Sequence, residues 1–345
     1  MGTLSQQALN RALIERQMLR ERADHSALAT IEHLFGVQAQ EPKSPYVGLW
    51  TRITNFQPRE LEDLLTSKQA VRMLLMRGTI HLVSAEDALA LRPLTQLKLD
   101  RELQSGPFAN RLKGLDLDEL AEAGRKLMDD TPQSTAEAGK QLLPSWPDRE
   151  HTVLGNALRN KLALVQIPPR GLWHSSGRAV CTTVENWLGK PQSAMSRETL
   201  VLRYLKAFGP ATVMDAQQWS GLTRLAEVFE NLRTQLITFK NEAGKELFDL
   251  PGAPRPDPET PLPVRFLPEF DNILLAHADR TRVIADDRLG VVIGGKPTVL
   301  VDGYVVATWS VSKERDITVD YIDKLPKSKQ KAVDQEADRL RAWIG

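Results

Sequence analysis

Residues 197–249 read RETLVLRYLKAFGPATVMDAQQWSGLTRLAEVFENLRTQLITFKNEAGKELFD, and this stretch decides the fold. A helix over about 197–207 ends at Gly209-Pro210, and Thr212-Val213-Met214-Asp215 caps a short second helix. Ser220-Gly221-Leu222 then turns the chain into a helix over about 223–233. Two strand-like runs, Gln235–Phe239 and Glu246–Asp249, flank the turn Asn241-Glu242-Ala243-Gly244. Three helices and a two-stranded hairpin in this order are the layout of a winged helix-turn-helix. Its second and third helices form the helix-turn-helix, and the hairpin is the wing.

The same order occurs twice upstream. The first occurrence has helices over about 5–20 and 26–35, the latter stopping at Gly36, a natural left-handed residue past a helix end. Short helical pieces near 46–53 and 58–66 precede the strands Ala70–Met76 and Thr79–Val83, which are separated by Arg77-Gly78. The second has helices over about 117–129 and 150–160, with a capping box at Ser134-Thr135-Ala136-Glu137 opening a helix between them. Strands Ala163–Ile167 and Leu172–His174 come next, joined by Pro168-Pro169-Arg170-Gly171. After the proline-rich run Pro251–Pro263 the character changes. Val291–Ile293, Thr298–Val301 and Val305–Trp309 read as strands, and about 329–343 as a last helix.

The expected class is therefore α+β, mostly α: three tandem winged helices, a C-terminal β-rich segment and a terminal helix. The expected boundaries are 1–95, 96–190 (a connecting helix and the second winged helix), 191–250 and 251–345. Composition narrows the function. Of 345 residues, 41% are hydrophobic and 26% charged, which excludes global disorder. Cys181 stands alone, so neither an internal disulfide nor a cysteine-based zinc site is possible. No apolar run approaches a membrane span. These features point to a reduced, cytoplasmic protein with no membrane partner. The charge is near neutral overall, but residues 141–240 hold 12 basic against 7 acidic residues, which permits a local basic surface.

The six histidines, among them His25, His33, His151 and His174, show no metal-ligand spacing, so no metal or cofactor is expected. Gly290–Pro297 nearly spells a phosphate-binding loop, but Pro297 stands where a magnesium-binding Ser or Thr is needed. The element after it reads as a strand rather than a helix, so the segment is read as a β-turn. The informative segment is Val37-Gln38-Ala39-Gln40. Extended chain after Gly36 would aim Gln38 and Gln40 to one side and Val37 and Ala39 to the core. Pro42 and Pro45 then stiffen the chain just beyond the motif. Two converging amides form a small polar site; two glutamines on a solvated edge would show the same pattern.

Several segments resemble a known family. Gly36–Pro42, Pro45–Trp50 and Leu75–Leu82 are similar to the AlkZ/YcaQ winged-helix DNA glycosylases, as are Leu267–Leu275 and His277–Arg282. The resemblance runs from about residue 8 to the terminal helix. It implies tandem winged helices with a concave DNA-binding surface and excision of N7-alkylated purines. Some members remove bulky natural-product adducts, a self-resistance role. The family signature, Gln-aliphatic-Gln, falls on Gln38, Ala39 and Gln40. The sister branch carries Asp at the last position, so Gln40 places this chain with the AlkZ-like branch.

That chemistry suits amides. A neutral amide is no general base, but an N7-alkylguanine already carries positive charge and leaves readily. The protein must mainly position a water and set amide oxygens near the developing sugar cation. Gln38 would orient the water and Gln40 stabilise the sugar, or the reverse. The expected function is thus a monofunctional, monomeric glycosylase acting on double-stranded DNA with alkylated purines or interstrand crosslinks. The competing class is a winged-helix regulator, which would need neither glutamine. Among further candidates, Arg77, Thr79 and His81 at the first hairpin, with Trp50, would contact DNA. Arg77 also reads as a solvated turn cation and Trp50 as core. Asp271, His277, Asp279 and Arg280 would form a supporting polar network, or simply a structural ion-pair cluster.

Overall fold

The computed structural model describes residues 2–345, the side chain of Val292 excepted; Met1 lies outside the described residues. The fold is α+β, and the chain divides into two compact units, each discontinuous in sequence. The first comprises Met1–Phe56, Glu198–Trp219 and Arg224–Gly345; the second comprises Gln57–Arg197 with Ser220–Thr223.

Residues 197–249, most of them in the first unit, have the expected element order. Helices Arg197–Phe208, Val213–Ser220 and Ala226–Asn231 precede the antiparallel strands Ile237–Asn241 and Glu246–Asp249. The Thr212/Asp215 cap is reciprocal: the Asp215 N–H donates to Thr212 Oγ1 at 3.1 Å, and the Thr212 N–H to Asp215 Oδ2 at 2.9 Å. The third helix starts later than expected because Arg224 has φ +59°, outside helical space. Thr3–Leu4 adds a short parallel strand beside Ile237–Asn241.

Arg16, in the last turn of the helix Gln6–Arg16, reaches Asp249 through two bonds of 2.7 and 2.9 Å. Both side chains are buried, so each charge depends on the other for its solvation. An aromatic cluster lies deeper in the same unit. The Trp219 ring is centred 5.1 Å from Phe35, 5.3 Å from Tyr204 and 5.6 Å from Phe208.

The C-terminal segment is β-rich as expected. A four-stranded antiparallel sheet has the order Ile317–Tyr321, Tyr304–Val311, Thr298–Val301, Arg265–Leu267. The Val291–Ile293 strand is a correction: these residues belong to the short helix Leu289–Ile293. Their β-branched side chains favour a strand only where a neighbouring strand completes the ladder. Here the chain bonds to itself instead, Gly294 N–H to Gly290 O at 2.9 Å and Lys296 N–H to Val291 O at 3.2 Å. The expected strand Thr298–Val301 is present, so no helix N-terminus succeeds the glycines. The terminal helix Lys327–Ile344 docks by Trp343, whose indole N–H donates to Phe56 O at 2.9 Å.

In the second unit, helices Pro58–Thr66, Ala85–Ser105, Leu117–Asp130, Thr135–Leu142 and His151–Lys161 surround strands running Ile80–Ser84, Ala70–Leu74, Leu164–Ile167, Val180–Thr183. Arg72 pairs with Gln166, so the first and second hairpins join edge to edge. The expected strand Leu172–His174 is a loop; Val180–Thr183 replaces it, with Val165 opposite Thr182. Tight turns (Leu172 N–H to Pro169 O, Ser175 N–H to Leu172 O) occupy the loop, and β-branched Val180, Thr182 and Thr183 supply the strand. Helices Thr135–Leu142 and His151–Lys161 approach backbone to backbone. A Cβ at Gly139 would lie 2.2 Å from His151 O, and one at Gly155 2.5 Å from Thr135 O.

Candidate active site

The glutamine motif succeeds the helix Ala27–His33, which ends in a Schellman arrangement. The Phe35 N–H donates to Glu32 O at 3.1 Å and the Gly36 N–H to Ile31 O at 3.0 Å. The residue in the left-handed position is Phe35, at φ +56°, with Gly36 next at φ +90°. A bulky aromatic is unfavourable there. Its stacking on Trp219 offsets that cost and fixes the point at which the motif begins. Val37–Gln38 is extended; Val37 and Ala39 are buried, as the alternation predicts. The two amides differ. Gln38 is only 5% exposed, whereas Gln40 faces solvent. The motif is therefore not a pair of glutamines on a solvated edge.

One loop, residues 268–272, braces this segment. The Ser44 hydroxyl donates to Glu269 Oε2 at 2.7 Å. Arg52 makes a two-bond pair with Asp271, at 2.7 and 2.8 Å, and also donates to Gly48 O and Gln17 O. Asn272 Nδ2 donates to Gly36 O at 2.6 Å, and the Gln38 N–H is directed at Asn272 Oδ1 at 3.4 Å. Between Glu269 and Asp271, Phe270 sits at φ +57°, a second strained aromatic within the same small region.

In the second unit, Arg77, Thr79 and His81 come together. The Thr79 carbonyl, 3.0 Å from His81 Nδ1, can only accept, so Nδ1 carries the hydrogen. Nε2 is then an acceptor, and Arg77 donates to it at 3.2 Å. Burial, reinforced by the Arg77 cation, pushes the imidazole down to about 3, which keeps it neutral and able to accept. His81 is thus an internal support for Arg77 rather than an exposed contact. Arg77 stands in the turn at φ +57°, half-buried.

Trp50 is buried, with Arg22 4.6 Å above its ring and Trp343 centred 5.8 Å away, so its faces are taken up by protein groups. Of the four residues expected to form one polar network, His277 and Asp279 interact electrostatically with one another and with Asp215 and Arg282, whereas Asp271 lies with Arg52. Asp271 serves Arg52. His277 donates through Nε2 to Phe208 O at 3.0 Å and belongs with Asp215 and Arg282. Asp215 accepts from the Ala278 N–H at 2.8 Å and lies 4.0 Å from Arg282. Asp279 accepts from the backbone and hydroxyl of Thr281, and Arg280 is half-buried. Sequence reasoning missed Arg52, Asn272, Asp215 and Arg282. The Thr212-x-x-Asp215 cap was the one available signal for Asp215.

His277 gives a pH prediction. Burial, then the Arg282 cation, depress its pKa to about 3 from an ordinary 6.5. The unfolded chain binds the proton first, so the stability contribution is complete above pH 6.5 and is lost as pH falls towards 3. At pH 5 the folded state should be weaker by about 2 kcal/mol per such histidine. Urea midpoints at pH 7.5 and 5 test this: His277→Asn should show a smaller acid-induced fall than wild type. An equal fall in both proteins would exclude His277 as a source.

Among the described residues, no group of three or more His, Cys, Asp or Glu side chains is placed to hold a metal ion. Among the same residues, no helix is long and apolar enough to cross a membrane. The interstrand DNA cross-link repair glycosylase of Streptomyces sahachiroi is 24% identical over 359 residues, covering 96% of this chain and 94% of that protein. The solved structure of Streptomyces sahachiroi DNA glycosylase AlkZ matches with a TM-score of 0.80 at 23% identity, over 99% of this chain and 97% of that one, a likeness of fold. A family profile described as DNA glycosylase AlkZ-like matches residues 31–343. With nine-tenths of its length inside that match, the chain belongs to the AlkZ-like DNA glycosylases, hydrolases that act on DNA.

Proposed function

We propose that this protein hydrolyses the N-glycosidic bond of N7-alkylated purines in double-stranded DNA, bulky adducts and interstrand crosslinks included, as a monofunctional, monomeric enzyme. The observation that carries the reading is the pairing of a buried Gln38 with an exposed Gln40 on a segment braced by the loop 268–272. Such a segment offers uncharged amides, which suit a substrate that brings its own positive charge. In the step, the C1′–N9 bond breaks with its electron pair passing to the purine, which neutralises the alkylated ring. A water oxygen bonds to C1′ and its proton leaves to solvent. Gln38 and Gln40 divide the work of holding that water and stabilising the sugar cation, in either order.

The three helix-and-hairpin stretches are read as winged helices over 1–95, 96–190 and 191–250, with Arg77, supported by His81, on a DNA phosphate. The name of the Streptomyces relative supports extending the substrate range to crosslinks. The test uses duplexes with a single 7-methylguanine and with a guanine N7–N7 mustard crosslink. Base release from the first and unhooking of the second are expected, and the abasic product should break only on heat or alkali. Retained DNA binding with no release from either duplex would defeat the proposal. Strand cleavage without heat or alkali would contradict its monofunctional part.

A further inference from the structure

We propose that Asn272 is a positioning residue for Gln38, acting as a one-side-chain substitute for a neighbouring β-strand. The inference rests on the reading of Gln38 as catalytic. In an extended chain, the carbonyl of one residue and the N–H two residues later point to the same edge, where a parallel neighbour would present the N–H and C=O of one residue. Here that edge belongs to Gly36 and Gln38. Asn272 offers its amide to both: Nδ2 donates to Gly36 O at 2.6 Å, and Oδ1 faces the Gln38 N–H at 3.4 Å. The side chain is 5% exposed, so water does not replace it at either atom.

Asparagine alone fits this position. A primary carboxamide carries an acceptor oxygen and a two-hydrogen donor nitrogen in one plane, so it can offer a donor and an acceptor to the same edge. Aspartate has the shape but no donor, and sets a charged oxygen against the Gly36 carbonyl. Leucine has the volume and neither function, and glutamine is a methylene too long. Asn272 is itself fixed. Its preceding residue, Asp271, is pinned by Arg52 and accepts the Ile273 N–H at 3.1 Å, and its own carbonyl accepts the Leu275 N–H at 3.0 Å. On the other side Phe35 anchors the start of the segment by stacking on Trp219. The backbone of Gln38 is therefore clamped on the side where its side-chain direction is set. A displacement of an ångström there is enough to misplace a catalytic amide.

The test is single-turnover release of 7-methylguanine from a duplex bearing one such base. It compares wild type, Asn272→Leu, Asn272→Asp and Gln38→Ala, with the dissociation constant for the same duplex and hydrogen exchange over residues 36–40 measured alongside. Both Asn272 variants should lose roughly 10–100-fold in the chemical rate. Their DNA affinity should change less than about threefold, because phosphate contacts elsewhere carry it. Exchange over 36–40 should accelerate in Asn272→Leu without a matching increase across the chain. Asn272→Asp keeps the side-chain volume and serves if the leucine variant does not fold. An unchanged rate in the Asn272 variants with a slow Gln38→Ala would overturn the positioning role alone. Rate and affinity falling together, or exchange rising everywhere, would reduce Asn272 to a general structural part. A Gln38→Ala enzyme at the wild-type rate would remove the catalytic reading and this inference with it.

Discussion

Gln38→Ala/Gln40→Ala is expected to reduce 7-methylguanine release towards the spontaneous rate while leaving duplex affinity within about threefold of wild type. The size comes from the chemistry. Removing one preorganised polar stabiliser costs on the order of 10²–10³ in rate, and here two act on the same water and the same developing charge. Residues that act as a unit are not additive, so Gln38→Ala alone should account for most of the loss. Its burial makes it the harder to replace: no solvent molecule can take the place of a side chain that is 5% exposed without reorganising the segment. The exposed Gln40 has water beside it, and Gln40→Ala should be the milder single change. Affinity is spared because duplex binding depends on phosphate neutralisation, to which two neutral amides contribute no counterion release. The assay needs the rate and the dissociation constant from the same preparation. A double variant that still releases base at the wild-type rate would place the chemistry elsewhere in the chain.

The parts of this arrangement legible in the sequence were those governed by local rules. Gly209-Pro210 and Thr212-x-x-Asp215 bound their helices in 197–249 because breakers and caps act within a few residues. Val37 and Ala39 are buried as expected for the apolar positions of an extended chain, but Gln38 between them is buried too, which alternation alone does not read. What escaped depends on residues far apart in sequence. The clamp on Gln38 joins positions 234 residues apart, and the Arg52–Asp271 pair 219. Neither Arg52 nor Asn272 carries a spacing signal, and an Arg after a helix reads as a surface cation. Local preference assigns the left-handed position to Gly36. The structure gives it to Phe35, where tertiary stacking outweighs that preference. Val291–Ile293 failed for the related reason that β-propensity expresses a neighbour, and the chain there bonds to itself. His81 shows the converse. Its position in the first hairpin reads as a DNA contact, whereas it is buried as a neutral acceptor for Arg77.

Asp271→Ala should be among the most destabilising single substitutions in the first unit, by about 3–5 kcal/mol. Arg52 and Asp271 each expose only 1% of their side chain, and the guanidinium spends two donors on the carboxylate and others on Gln17 O and Gly48 O. Deleting the carboxylate leaves a buried cation with carbonyls but no counter-charge, and leaves the Ile273 N–H without its acceptor. Desolvation then opposes folding with no Coulombic return. The loss is specific to breaking the pair, which separates it from ordinary core truncation. Arg52→Met/Asp271→Leu removes both charges together and should be less destabilised than Asp271→Ala, despite having more substitutions. Urea unfolding of wild type, the single variant and the double variant measures the difference directly. Activity adds a second readout, because Asp271 precedes Asn272 and holds the loop that reaches Gly36 and Gln38. The double variant should therefore recover stability more fully than it recovers base release: two apolar side chains can fill the volume, but only the ion pair fixes the direction from which Asn272 approaches the strand. Full recovery of both would mean that packing alone sets the loop, and that the charges are dispensable to the site.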